Sequence, residues 1–290
     1  MASMSDIRRS IRSTESTGQI TKAMKMVSSS KLRRAQSSVV AARPYADKVR
    51  EVLGNLSDKG SGSGHPLQEV REVKNVLYVV VSGDRGLCGG FNSNIIKECE
   101  QAIKEREENC DIIAIGKKAR DYFSKRNYNV VNSYVEIGDF PTYSLGKTIS
   151  LELIQKYTEG DYDEVHLFFN KFRSAMTFIP TDLQLLPIVP VEAEEAEATE
   201  KSGVEADTLF EPSEEEVLGV LLPAYVETLV FNGILESKAS EHGARMTAMS
   251  SATDNAIELI QSLTLTLNRA RQAAITTEIN EIVGGAAALE

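Results

Sequence analysis

Residues 235–274 read LESKASEHGARMTAMSSATDNAIELIQSLTLTLNRARQAA, a run without proline in which Gly243 is the only glycine. Stepping alternately by four and three gives Leu235, Ala239, His242, Met246, Met249, Thr253, Ala256, Ile260, Leu263, Leu267, Ala270 and Ala274. Ten of these twelve are apolar, the 3.5-residue repeat of a coiled-coil seam. Working backwards, the same helix is expected to open at Ser213, with Glu216 three residues on as a capping box. Glu214, Glu215 and Glu216 sit where the helix dipole favours carboxylates, and Pro223 is expected to kink the first turns.

The N-terminus repeats the pattern more weakly. Residues 1–58 read as one helix capped by Ser5, with Pro44 as the only breaker. The four-three walk runs Ile7, Ile11, Thr14, Gly18, Thr21, Lys25, Ser28, Leu32, Ala35, Val39, Ala42, Ala46, Val49, Leu53, Leu56, ten of fifteen apolar. From Thr14 to Ser28 the seam fails, while Ile20, Met24 and Val27 make a separate short stripe. Either the contact face rotates there, or the helix turns its apolar side to something other than its first partner. At ~1.5 Å per residue the two helices would be on the order of 80 and 110 Å long, too long to fold back into an ordinary globule. They are expected to pair as an antiparallel coiled coil. The longer C-terminal helix would overhang its partner with the apolar tip Ile275 to Leu289, which needs a sleeve from other chains.

Between them, SDKGSGSGHP (57–66) is a flexible boundary. Strand-like and helix-like segments then alternate: Val76–Ser82, helix Ser93–Glu108, strand Ile112–Gly116, helix Lys117–Arg126, strand Val130–Val135, helix Leu145–Tyr157, then strands Val165–Phe169 and Thr177–Ile188. That alternation predicts a Rossmann-like α/β domain with a mainly parallel sheet. The expected division is 1–58 (N-terminal coiled-coil helix), 59–210 (α/β domain) and 211–290 (C-terminal helix and tip). Residues 192–207 carry seven carboxylates against Lys201 and read as a solvated loop or a regulatory contact.

Charge is distributed unevenly in this chain of net charge -10. Residues 1–56 hold 11 basic against 4 acidic side chains, 57–210 hold 17 against 26, and 211–290 hold 4 against 12. The basic and acidic ends would pair with each other or with oppositely charged partners; nucleic acid fits poorly, with Tyr45 the only aromatic in the basic stretch. The odd cysteines Cys88, Cys99 and Cys110 and the scattered His65, His166 and His242 suggest neither disulfides nor a metal site. No apolar signal core opens the chain, and no stretch is expected to reach the ~18 apolar residues of a membrane span. A soluble or peripheral protein without cofactor is expected.

Three blocks resemble the gamma subunits of F-type ATP synthases: Ile20–Gln36 (ITKAMKMVSSSKLRRAQ), Asp84–Asn92 (DRGLCGGFN), and Ala239–Leu289 with ASEHGARMTAMSSATDNA and NRARQAAITTEINEIVGGAAAL. The resemblance covers nearly the whole chain. It implies a central shaft inside a hexamer of alpha and beta subunits, with catalysis on beta and none on this chain. Its base would bind the membrane c ring and the epsilon subunit, on the cytoplasmic face of a bacterial membrane. It further implies that basic residues such as Arg8, Arg9, Arg12, Lys22, Lys25, Lys31, Arg33 and Arg34 face acidic loops of beta. Met24 would lie near the same boundary. Arg271, Gln272 and Thr276 would catch loops near the tip, Asp84 and Arg85 would touch the coiled coil or beta, and Leu209, Phe210 and Glu211 would form the foot.

Two other classes fit the sequence less well. A nucleotide-dependent α/β enzyme with a coiled-coil arm would need a phosphate loop, and DRGLCGG is neither GxGxxG nor GxxxxGK[ST]. A passive coiled-coil tether leaves the apolar tip unexplained.

Overall fold

The computed structural model describes residues 3–57, 65–106, 108–188 and 214–287. The acidic stretch 192–207, the segment Leu209-Phe210-Glu211 and the expected cap Ser213 lie outside the described residues. The element order is α1 (Met4–Ser57), β1 (Asn75–Val81), α2 (Phe91–Glu105), β2 (Asn109–Ile115), α3 (Lys117–Ser124), β3 (Val130–Tyr134), α4 (Tyr143–Thr158), β4 (Glu164–Phe172), β5 (Phe178–Leu186) and α5 (Glu214–Ala287). Two compact units form, Ser30–Ala244 on the one hand and Met1–Ser29 with Arg245–Glu290 on the other. Both long helices contribute a part to each.

In the larger unit the sheet runs β3-β2-β1-β4-β5. β1 pairs in parallel with β2 and β4, β2 in parallel with β3, and β4 antiparallel with β5. The uninterrupted apolar string of β1 is explained by burial on both faces. Leu77, Val79 and Val81 share a core with α4, α5 and Val49 and Leu53 of α1. Val76, Tyr78 and Val80 share another with Ile95, Ile96 and Cys99 of α2 and Ala119 and Phe123 of α3. Each such buried Val, Leu or Ile contributes roughly 1.5–3 kcal/mol.

Strand order reverses beside β1, so the loop after β1 lies at the topological switch point of a doubly wound sheet. Beside it, between β2 and α3, Gly116 has φ +100°, and a Cβ on it would stand 2.3 Å from the Ser82 carbonyl oxygen. Only glycine fits both the backbone and the space. Ser82 Oγ accepts from Ala119 N–H at 2.9 Å, tying the end of β1 to the start of α3.

In the smaller unit α1 and α5 pair antiparallel. Thr21 Oγ1 lies 2.8 Å from Thr253 Oγ1, and Lys25 Nζ donates to Ser250 Oγ at 2.9 Å. A Cβ on Gly18 would meet Ala256 Cβ at 3.4 Å. The paired residue numbers add to 274 or 275, an unbroken register. The apparent failure of the seam between Thr14 and Ser28 is therefore corrected. Thr21 and Ser28 are buried, and all nine buried residues of α1 whose side chains are described fall on the four-three walk. Small side chains hold that stretch of the seam, whereas Ile20 and Val27 are 57% and 55% exposed and Met24 is half-buried. Of the two alternatives, the helix directs this apolar stripe away from its partner.

Helix starts and interruptions also differ from expectation. Ser3, not Ser5, caps α1: its Oγ accepts from Asp6 N–H, and Asp6 Oδ2 accepts from Ser3 N–H, each at 3.3 Å. α1 continues through Pro44 and α5 through Pro223. α2 starts at Phe91 and stops at Glu105, short of the expected Glu108, because Arg106 is extended. α5 also contains an 18-residue window of mean hydropathy 1.6, apolar enough by length and composition to cross a membrane, which corrects the expectation that no stretch is. In the protein 56% of that window is buried. Leu222, Val226, Val230 and Ile234 pack in the core beside the sheet, so this part of the helix has little polar face.

Candidate partner-binding surfaces

In the smaller unit the basic side chains stand in solvent. Arg8, Arg9, Arg12 and Lys22 are exposed and make no ion pair among the described residues. Ile20, Met26 and Val27 are exposed on the same helix. On α5, Ala274 is the last partly covered position, and every residue from Ile275 to Gly285 is exposed. Ile275, Ile279, Ile282 and Val283 recur at helical spacing and make an apolar stripe without a partner among the described residues. Arg271 and Gln272 are exposed just before it, and Thr276 donates to the Gln272 carbonyl at 2.9 Å.

In the larger unit the expected surface residues are treated differently from one another. Arg33 is exposed, and Arg34 Cζ stands 5.9 Å over the Phe140 ring. Lys31 is half-buried and has a partner inside the chain, Asp139 in the β3–α4 loop, at 2.7 Å. Glu136 and Gly138, both at positive φ, shape that loop. The other Asp139 oxygen is 3.7 Å from His242 Nε2 of α5. Burial works to raise the Asp139 carboxyl, but the hydrogen bond and charge of Lys31, helped by His242 and Lys238, outweigh it and hold it below the ordinary value. One turn back on α5, Lys238 and Glu241 form a buried pair at 3.1 Å. Such a pair is costly to break from one side.

The glycine-rich stretch closes on itself at the switch point. Asp84 Oδ1 accepts from Lys117 N–H at 2.9 Å and so occupies the N-terminus of α3. Lys118 N–H donates to the Gly83 carbonyl at 3.1 Å. Asn92 braces the loop, accepting from Gly83 N–H at 2.8 Å and donating to the Arg85 carbonyl at 3.2 Å. A phosphate here would meet engaged N–H groups and a carboxylate, so the nucleotide reading finds no cradle. The loop leans instead on α5: Cys88 and Phe91 are buried with Ala244, and Gly83 approaches Glu241. Arg85 remains exposed.

A family pattern described as ATP synthase matches residues 3–289. The ATP synthase gamma chain of Desulforamulus reducens is 53% identical over 290 residues, covering all of both chains. The chain belongs to the ATP synthase gamma-chain family. The gamma chain of Pelotomaculum thermopropionicum is 49% identical over the full length of both. A chain in the central stalk and c-ring structure of Tetrahymena thermophila mitochondrial ATP synthase is 27% identical, with a TM-score of 0.60 over 80% of this chain and 99% of that one. A chain of the Euglena gracilis mitochondrial ATP synthase shares the fold at a TM-score of 0.73, 23% identity, and coverage of 99% and 94%.

Against this gamma-chain background, sequence reasoning had missed Asp139, Phe140 and the Lys238–Glu241 pair. Asp139 and Phe140 carry no periodic signal, and the Gly138-Asp139 dipeptide marks only a turn.

Proposed function

We propose that the chain is the central-stalk rotor subunit of an F-type ATP synthase, carrying rotation of a membrane c ring to catalytic beta subunits. Chemistry takes place on beta, and this chain biases each site by contacts that differ with its orientation. The same shaft serves ATP synthesis and ATP-driven ion pumping. Its base meets the c ring and an epsilon subunit through the region of Leu209, Phe210 and Glu211, on the cytoplasmic face of a bacterial membrane. The observation that carries the reading, beyond family membership, is the end of the seam at Ala274. Past it α5 bears an apolar stripe that water disfavours and that a sleeve of alpha and beta subunits would cover. Exposed cations on α1 suit contacts that release on each turn, since exposed pairs are worth only ~0–1 kcal/mol.

The test is reconstitution with alpha and beta subunits and observation of ATP-driven rotation of a bead attached to the chain. Rotation is expected, and a complex that hydrolyses ATP equally well without this chain would refute the reading. Neutralising Arg33 and Arg34 together is expected to reduce ATP-driven ion pumping relative to hydrolysis.

A further inference from the structure

The face of the sheet away from α1 and the first half of α5 is covered by α2 and α3, and between these helices lies a groove of about 240 Å³. Asn92, Ser93, Ile96, Lys97, Lys118 and Tyr122 line it. Ile96 is buried at its floor, while Tyr122 is fixed by donating to Glu100 Oε2 at 2.8 Å and by Arg126, whose Cζ is 3.7 Å over its ring.

Of the carboxylates nearby, Glu98 beside Lys97 is exposed and makes no ion pair among the described residues, while the others have partners. Glu100 is held by Lys104 and Tyr122, Asp121 by Arg120 at 2.8 Å, and Asp84 by the start of α3. The cations do not: Lys97, Lys117, Lys118 and Lys125 are exposed and make no ion pair among the described residues. Lys117 and Lys125 lie close enough to Asp121 to act on its carboxyl, after Arg120, so these cations share one locality. In a chain of net charge -10 this is a local reversal of sign.

We propose that the α2–α3 groove docks an acidic segment of a partner protein, which lays one apolar side chain on Ile96 and Tyr122 between carboxylates that meet Lys97 and Lys118. A compact phosphate is disfavoured because the N–H groups at the start of α3 are occupied by Asp84, Gly83 and Ser82. Long, separately rooted lysines over an apolar floor match an extended peptide better. The site is distinct from the basic run of α1. It rests on the chain working in an assembly, as proposed above.

The experiment places the photo-crosslinker benzoylphenylalanine at Ser93, which is exposed on the rim, in the full chain within the reconstituted complex. The expected product is a cross-link to a carboxylate-rich peptide of another subunit. It should be abolished by the double variant K97E/K118E and fall about fivefold or more between ~0.05 and 0.5 M salt. No cross-link in an intact complex, a cross-link to a neutral or basic peptide, or one to residues 189–213 of this chain would overturn the proposal. Failure of the complex to assemble at all would instead count against the rotor reading.

Discussion

Lys31 of α1 and Asp139 of the β3–α4 loop stand 2.7 Å apart, and Asp139 also faces His242 of α5 at 3.7 Å, so a single loop carboxylate reaches both long helices. With the two side chains of the Lys31 pair a third and under half exposed, the interaction is screened and modest. A double-mutant cycle with K31M and D139N should give a coupling of about 0.5–1 kcal/mol in urea unfolding. A coupling indistinguishable from zero would mean that the loop holds α1 by other contacts.

The same carboxyl sets a pH expectation. Its folded pKa lies below the ordinary value, so its contribution is fully present above the unfolded value of about 3.9 and is lost as pH falls through the lower folded value. The stability difference between wild type and D139N should therefore stay constant from about pH 5 to 8 and close only below about pH 4. Closure already at pH 6 would point to a different titrating group.

Thr253 Oγ1 lies 2.7 Å from the Met249 carbonyl oxygen and Thr21 Oγ1 3.1 Å from that of Gly18, and each hydroxyl has one proton, so either threonine can be the donor in the 2.8 Å contact across the seam. T21V leaves the Thr253 hydroxyl without its partner across the seam and should cost about 1 kcal/mol. T21V/T253V removes both hydroxyls and should recover most of the loss. Additive losses in thermal unfolding would show that the hydroxyl pair is incidental.

Two glycines predict opposite signs. A Cβ on Gly18 would make ordinary contact with Ala256 at 3.4 Å, so G18A should gain up to about 1 kcal/mol of helix propensity. On Gly243 it would lie 2.8 Å from the Ala175 carbonyl oxygen, which is backbone, so G243A should destabilise by about 1–3 kcal/mol. Denaturant midpoints moving in the same direction for both would contradict the packing.

Glu236 is held by burial above the usual carboxyl range, against the pull of the Phe172 N–H and Arg43. Its sign is the reverse of Asp139. Between the unfolded value of about 4.3 and the raised folded value, folding takes up a proton, and stability falls as pH rises through that window. E236Q, which can still accept from Phe172, should match wild type near pH 4 and be the more stable protein at pH 7. A neutral-pH loss would mean that Arg43, 3.8 Å away, matters more than desolvation.

The fold was legible wherever a period was. β1 announced itself by an apolar string that only a doubly covered strand explains, and the four-three walk along α1 picked out its buried residues. The walk misled at Thr14 to Ser28 because a hydrophobicity count treats Gly18, Thr21 and Ser28 as gaps, while closely approaching helices require small side chains. Ser3 has Asp6 three residues on, the capping-box spacing, whereas Ser5 has the cation Arg8 there, so the spacing itself favours Ser3 as the cap. The candidate surfaces were less legible. Lys31 and Arg33 look equivalent in sequence, yet a loop more than a hundred residues away pairs with the first and leaves the second bare.

The small-residue stretch of the seam also bears on how such a pair of helices withstands twisting. Torque shears the strands of a rod lengthwise, and a seam of identical large residues looks the same after slipping by one heptad. This one does not. A seven-residue slip would set Thr21 against Met246 or Ile260 and Gly18 against Met249 or Leu263, stranding a hydroxyl and crowding a notch cut for alanine. The threonine pair and the glycine notch thus act as key and keyway, fixing one axial phase between the strands while leaving the outer surface free to meet other proteins.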